Sequence, residues 1–131
     1  MEYNLSLGLS NEKQEKVTTD NTAIRYGSGG AAVYATPAMI GLMEATALSI
    51  VDPRLPAGLA TVGIQLNVRH LAATPIGMTV RCTAKLTEIK GKRLIFSVEA
   101  FDEKEKVGEG THERYIIELE SFLKKSQSKL N

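Results

Sequence analysis

Residues 37 to 51 read P-A-M-I-G-L-M-E-A-T-A-L-S-I-V, a helix-length run with apolar side chains on every side. A helix of that kind has no face to offer water and has to be buried. Thr36-Pro37 marks its start: threonine can cap the first free amides, and proline suits the first helical position because its missing N–H has no partner there anyway. Asp52-Pro53 and Leu55-Pro56 end it. Whatever wraps this helix must come from the rest of the chain, and the rest reads mostly as strand.

Tyr3, Leu5, Leu7 and Leu9 alternate with polar or small residues and predict a first half-buried strand, followed by a polar, charged stretch from residue 10 to 16. Residues 17 to 25 read as another extended segment, and Tyr26-Gly27-Ser28-Gly29-Gly30 as a flexible loop leading into the helix. Beyond Gly58, Val62, Ile64, Leu66 and Val68 face one way, in a row that runs on to His70, while Thr61, Gly63, Gln65, Asn67 and Arg69 face the other. Pro75-Ile76-Gly77 turns the chain into the row Met78, Val80, Cys82, Ala84, Leu86, and Lys90-Gly91-Lys92 is a hairpin turn into Leu94, Phe96, Val98 and Ala100. A charged turn at 102 to 106 precedes a last strand over 107 to 118, where Gly108 and Gly110 share a face and point to a bulge or a close backbone approach. From about Ser121 a polar tail with Lys124, Lys125 and Lys129 reads as a short helical end that frays. One buried helix among about five antiparallel strands predicts a single α+β domain over 1–131, its sheet wrapped around the helix. Unpaired strand edges invite a second copy, so a symmetric homodimer is expected.

Composition narrows the function classes. A chain of 131 residues with 43% hydrophobic and 24% charged residues removes roughly two-thirds of its extended surface from water and needs no staple of disulfides or metal. The lone Cys82 has no partner for an internal disulfide, in keeping with a reducing compartment. A net charge of +1 with both signs interspersed gives no field toward nucleic acid or an anionic membrane, and neither partner is expected. No run approaches the roughly twenty apolar residues that cross a bilayer, and M-E-Y-N-L-S-L-G-L lacks the basic start and apolar segment of a signal peptide, so the expected location is cytoplasmic.

Against that bland background Glu44 is a misfit. It stands inside the apolar helix, with Thr46 and Ser49 the only other polar side chains and no cation beside it. An unpartnered buried carboxylate is costly and either takes up a proton or recruits polar groups from elsewhere in the fold. Such carboxylates serve as catalytic bases or nucleophiles, or else Glu44 lies on a narrow solvent stripe with Ser49 or caps a buried polar knot.

The order of elements, together with V-Y-A-T-P-A-M-I-G-L-M-E at 33 to 44, T-V-G-I-Q-L-N-V-R-H-L-A-A-T-P-I-G at 61 to 77 and G-E-G-T-H-E-R at 108 to 114, resembles the hotdog-fold thioesterases, in their fluoroacetyl-CoA thioesterase-like branch. The resemblance runs from about Val33 to Ile117. It implies a homodimer or a tetramer acting on a small or medium acyl-CoA, with coenzyme A as part of the substrate and no separate cofactor. By that resemblance the catalytic set falls on Thr36, Glu44 and His70, a glycine lending a backbone amide near the thioester on Gly63, and an arginine near the coenzyme A end of the site on Arg114. Fluoroacetate-specific members carry phenylalanines as a lid before the helix and a bulky aromatic after the glutamate. Here Gly27-Ser28-Gly29-Gly30 and Ala45 stand in their places, which implies a wider pocket.

The same positions make chemical sense on their own. Thr36 offers a hydroxyl among the free amides and positive dipole end of the helix, where a developing oxyanion is stabilised, although capping alone also accounts for a threonine there. Glu44 lies eight residues on, about 12 Å along the axis, so contact with Thr36 requires chain irregularity, a bridging substrate or a second subunit. His70 ends the strand row expected to face the helix; paired with Glu44 it would favour the ionised carboxylate and could carry protons to a departing thiolate, and alone it is a core or rim residue. Glu44 could attack the thioester carbonyl or activate a water. Arg114 either meets coenzyme A phosphates or pairs with Glu113 or Glu109 on a solvated face. Cys82 reads as core, and two histidines with one cysteine form no metal-ligand spacing, so no metal is expected. An acyl-CoA-binding or regulatory module without turnover is the alternative to a hydrolase, and a hydratase on the same fold a third reading.

Overall fold

The computed structural model describes residues 3–131; Met1 and Glu2, with which the reading of the N-terminus begins, lie outside them. Among the described residues five strands, β1 (Ser10–Lys16), β2 (Leu59–His70), β3 (Thr79–Lys90), β4 (Arg93–Phe101) and β5 (Lys106–Glu118), form one antiparallel sheet in the order β1-β3-β4-β5-β2. The expected long helix is there as α2 (Thr36–Val51), after a one-turn α1 (Ala23–Tyr26), and α3 (Leu119–Gln127) ends the chain. Apart from Met78, which precedes β3 and is half-buried, the predicted rows of β3 and β4 are inward: Val80, Cys82, Leu86, Leu94 and Phe96 are buried together with Met39, Met43, Ala47 and Val51 of α2. Cys82 is therefore the small core residue its row predicts, and burial holds its thiol above the ordinary range.

Residues 3 to 25 depart from the sequence reading. Tyr3 to Leu9 form no strand; Tyr3, Leu5 and Leu9 pack against the core individually, and Leu7 is exposed. The strand is instead the charged stretch S-N-E-K-Q-E-K, which pairs with β3 at the sheet edge. Its side chains are almost all exposed, so it shows no apolar alternation, and charge on an edge strand discourages pairing with stray chains. Residues 17 to 25 are not extended either. Thr18 and Asn21 close a capping box on a short 3₁₀ turn, and Thr22 caps α1, accepting from Arg25 N–H at 3.3 Å.

Three further corrections concern the functional region. Thr36 is not the cap of α2: Ala35 holds that position without a side-chain bond, and Thr36 is the first helical residue with its hydroxyl free for another partner. Nor is α2 buried all round, because Pro37, Gly41, Ala45 and Leu48 form an exposed stripe along it. Most consequential, β2 does not alternate cleanly. A β-bulge between Gly63 and Gln65 inserts Ile64, so that Thr61 is buried with the inner face while Ile64 is 52% exposed, and Leu66, Val68 and His70 resume the inner side after it. The expected grouping of Val62 and Ile64 with Leu66 is broken by that one residue.

Candidate active site

α2 lies antiparallel to β2 on the inner face of the sheet, and this orientation distributes the polar residues along it. The start of α2 meets the end of β2: Thr36 Oγ1 and His70 Nδ1 are 2.7 Å apart. Burial holds the His70 imidazole below its ordinary range, so it is neutral near pH 7, and its Nε2 is buried with no hydrogen-bond partner among the described residues. Both residues border an open cleft of about 410 Å³, walled by Tyr34, Val33, Leu71 and by Ser28 of the glycine-rich loop. The wall is fixed from behind, where the buried Tyr34 hydroxyl donates to Glu15 at 2.5 Å.

Two turns further along α2, Glu44 is half-buried and arrives over Gly63. A methyl group on Gly63 would lie 2.6 Å from Glu44 Oε2, 3.2 Å from His112 Cε1 and 3.5 Å from Arg114 Nη1. Carboxylate, imidazole and guanidinium thus converge on the space a glycine leaves open. The end of α2 closes the row: Asp52 accepts from the Thr61 hydroxyl at 2.5 Å and from the Thr61 N–H at 3.2 Å. Arg114 donates from Nε to Thr61 Oγ1 at 2.7 Å and from Nη2 to the Thr61 carbonyl at 3.0 Å.

These positions answer the sequence expectations one by one. Thr36 and His70 are brought together. His70 and Glu44 do not bond within the chain; His70 lies seven positions along the strand from Gly63, on the order of 20 Å, and the reason is the antiparallel run of α2 against β2. Arg114 is not on a solvated face but 4% exposed, and Glu113 and Glu109 bond elsewhere, to Arg93 and Lys106. Its nearest carboxylates in charge are those of Asp52 and Glu44, which counter the effect of burial on the guanidinium. His112, Thr61 and Asp52 went unread as site residues. The signal for His112 was present, because Gly108, Gly110, His112, Arg114 and Ile116 share one period-2 face, and the glycines had already marked that face as closely approached.

Superposed on a solved fluoroacetyl-CoA thioesterase, the chain gives a TM-score of 0.91 at 35% identity, covering 96% of this chain and 98% of that one. A hot-dog-like protein from Thermanaerovibrio acidaminovorans superposes with a TM-score of 0.87 at 25% identity over 95% and 93% of the two chains. By class this is a hotdog-fold thioester hydrolase. The sequence profile of the fluoroacetyl-CoA-specific thioesterases matches residues 17–120, and the fluoroacetyl-CoA thioesterase of Streptantibioticus cattleyicolor is 43% identical over 97 residues, 74% of this chain and 70% of that protein. The chain belongs to the fluoroacetyl-CoA-specific thioesterase family.

Proposed function

We propose that the protein hydrolyses small or medium acyl-CoA thioesters as a homodimer, with Thr36 and His70 of one protomer facing Glu44 and Gly63 of its partner across the β2 edge. The observation that carries this reading is the Thr36–His70 pair at 2.7 Å on the rim of the cleft, with His70 Nε2 left unpartnered. The name of the curated relative supplies the substrate class, a short acyl-CoA. In this reading the thioester carbonyl lies at the start of α2, where the Thr36 hydroxyl and the helix dipole stabilise negative charge as it develops on the carbonyl oxygen. Either the Glu44 carboxylate attacks the carbonyl carbon, expelling the coenzyme A thiolate by C–S cleavage and leaving a mixed anhydride that water then hydrolyses, or it takes a proton from a water that attacks in its place; the neutral His70 imidazole takes up a proton released by the water and passes it to the thiolate. Gly63 lends a backbone amide, and Arg114 stands behind the carboxylate. The glycine-rich loop at the cleft, with Gly27-Ser28-Gly29-Gly30 where fluoroacetate-specific relatives carry a phenylalanine lid, favours acyl groups broader than fluoroacetyl.

Free-thiol release from a series of acyl-CoA thioesters tests the proposal directly. Glu44→Ala is expected to lower turnover about 10²- to 10⁴-fold, and His70→Ala by a similar order. Binding of acyl-CoA without thiol release at any chain length would instead make the protein a binding module.

A further inference from the structure

His112 touches no part of the cleft, yet it is 0% exposed and both of its ring nitrogens are engaged. The partners fix its state. Arg114 keeps its proton and donates from Nη1 to His112 Nε2 at 3.2 Å, so Nε2 must be the acceptor; Nδ1 then carries the hydrogen and donates to the Gln65 carbonyl at 2.9 Å. Gln65 lies immediately after the bulge and Arg114 faces Gly63 in the β2–β5 register, so this single imidazole ties the bulged edge strand to the guanidinium. The ring is also stacked on Phe96, with centroids 6.2 Å apart, which removes its freedom to turn.

Each nitrogen of Arg114 thereby has a partner, Nε and Nη2 on Thr61 and Nη1 on His112, so three of its five N–H groups are engaged. The guanidinium plane cannot rotate, and the edge it shares with the His112 Cε1 faces the place over Gly63 where Glu44 Oε2 arrives. Remove the acceptor at Nε2 and Nη1 loses its only anchor among the described residues. A buried donor in that position turns to the nearest free acceptor, and the free acceptor is the Glu44 carboxylate.

We propose that His112 is a positioning residue: as a neutral imidazole held between the Gln65 carbonyl and Arg114, it keeps the guanidinium from collapsing onto Glu44 and so leaves that carboxylate oriented and free to react. The inference rests on the reading of Glu44 as the reactive group.

His112→Asn and His112→Gln separate the two bonds. The shorter asparagine can keep the donor to Gln65 but does not reach Arg114; glutamine can present an oxygen near the Nε2 position and restore the acceptor. Expected is a fall in kcat of about 10- to 100-fold for His112→Asn with KM for acyl-CoA within about threefold of wild type, and recovery of most of that kcat in His112→Gln. A purely structural role predicts the reverse pattern, in which both variants lose thermal stability together and kcat per folded molecule stays level. Level kcat in folded His112→Asn therefore overturns the proposal, as does an equal loss in both folded variants. Glu44→Ala measured alongside keeps the two readings apart: if it abolishes turnover while His112→Asn does not slow it, only the role of His112 falls, and if Glu44→Ala turns over normally, both fall.

Discussion

A single methyl group separates Gly63 from a collision. Its φ is unremarkable, so left-handed backbone is not the reason glycine stands there; the Glu44 carboxylate, 2.6 Å from where a Cβ would sit, is. Carboxylate and imidazole would both have to move for alanine to fit, and overpacking of that kind costs about 1–3 kcal/mol. Gly63→Ala is therefore expected to slow turnover by one to two powers of ten while lowering Tm by only several degrees, measured by thiol release and thermal melting on the same preparation. Turnover at the wild-type rate in Gly63→Ala would mean that Glu44 does not work from this position. Residues of this kind were partly legible beforehand. Glu44 announced itself by polarity inside an apolar helix, and His70 by ending an inward row. Thr36 reads locally as a cap because a threonine before Pro37 has that role available, and only the family resemblance puts it in the catalytic set, since its partner His70 arrives from 34 residues away. Thr61 and Asp52 carry no local signal at all, since their meaning lies in a guanidinium brought to them from 53 residues downstream of Thr61.

At the scale of elements, the bulge in β2 sets which residues belong to the site. Strict alternation cannot put Thr61 and His70 on the same face, because they are an odd number of positions apart; the extra residue Ile64 corrects the parity. Deleting Ile64 should restore an unbroken ladder and turn one half of the strand over, exposing either His70 or the Thr61 side that satisfies Arg114. An uncompensated buried guanidinium costs about 3–5 kcal/mol, which for a domain of this size is roughly 10–25 °C in Tm. The expected result is a protein that melts lower by that amount and releases no thiol, and an active variant of normal Tm would show that the bulge is incidental. This is also where sequence reading fails for a physical reason: a one-residue insertion in a strand leaves composition and propensity untouched and is visible only as a phase change in the ladder. The opposite failure occurs at β1, where pairing with β3 is made by backbone and the exposed side chains obey no period. β3 and β4, buried on one face and solvated on the other, were legible residue by residue.

The whole molecule leaves two surfaces that a single chain does not use. β1 and β2 are the two edges of the sheet, β1 charged and β2 carrying Ile64, 52% exposed, while α2 presents Pro37, Gly41, Ala45 and a 40% exposed Leu48. A sheet edge continuous with an apolar helix stripe is the kind of surface that a twofold partner covers, since the same patch then serves both copies. In the proposed dimer, antiparallel pairing of β2 with its copy would bring the Gly63 end of one strand toward the His70 end of the other, and the distance of about 20 Å between the two halves of the site within a chain would become a contact between chains. That geometry has a consequence independent of any single residue. Dimers of Glu44→Ala and of His70→Ala are each expected to be nearly inactive, but in a mixed dimer with a shared site one site would collect both substitutions and the other neither. Co-refolding the two variants in equal amounts should restore about a quarter of wild-type turnover, because half of randomly paired dimers are mixed and each mixed dimer has one intact site. A site completed within one chain leaves every site in the mixture carrying one substitution, and activity then stays at the level of the parent variants. Size-exclusion of the same mixture, with one variant tagged, verifies that exchange has occurred, so that an absent recovery in exchanged dimers counts directly against the shared site.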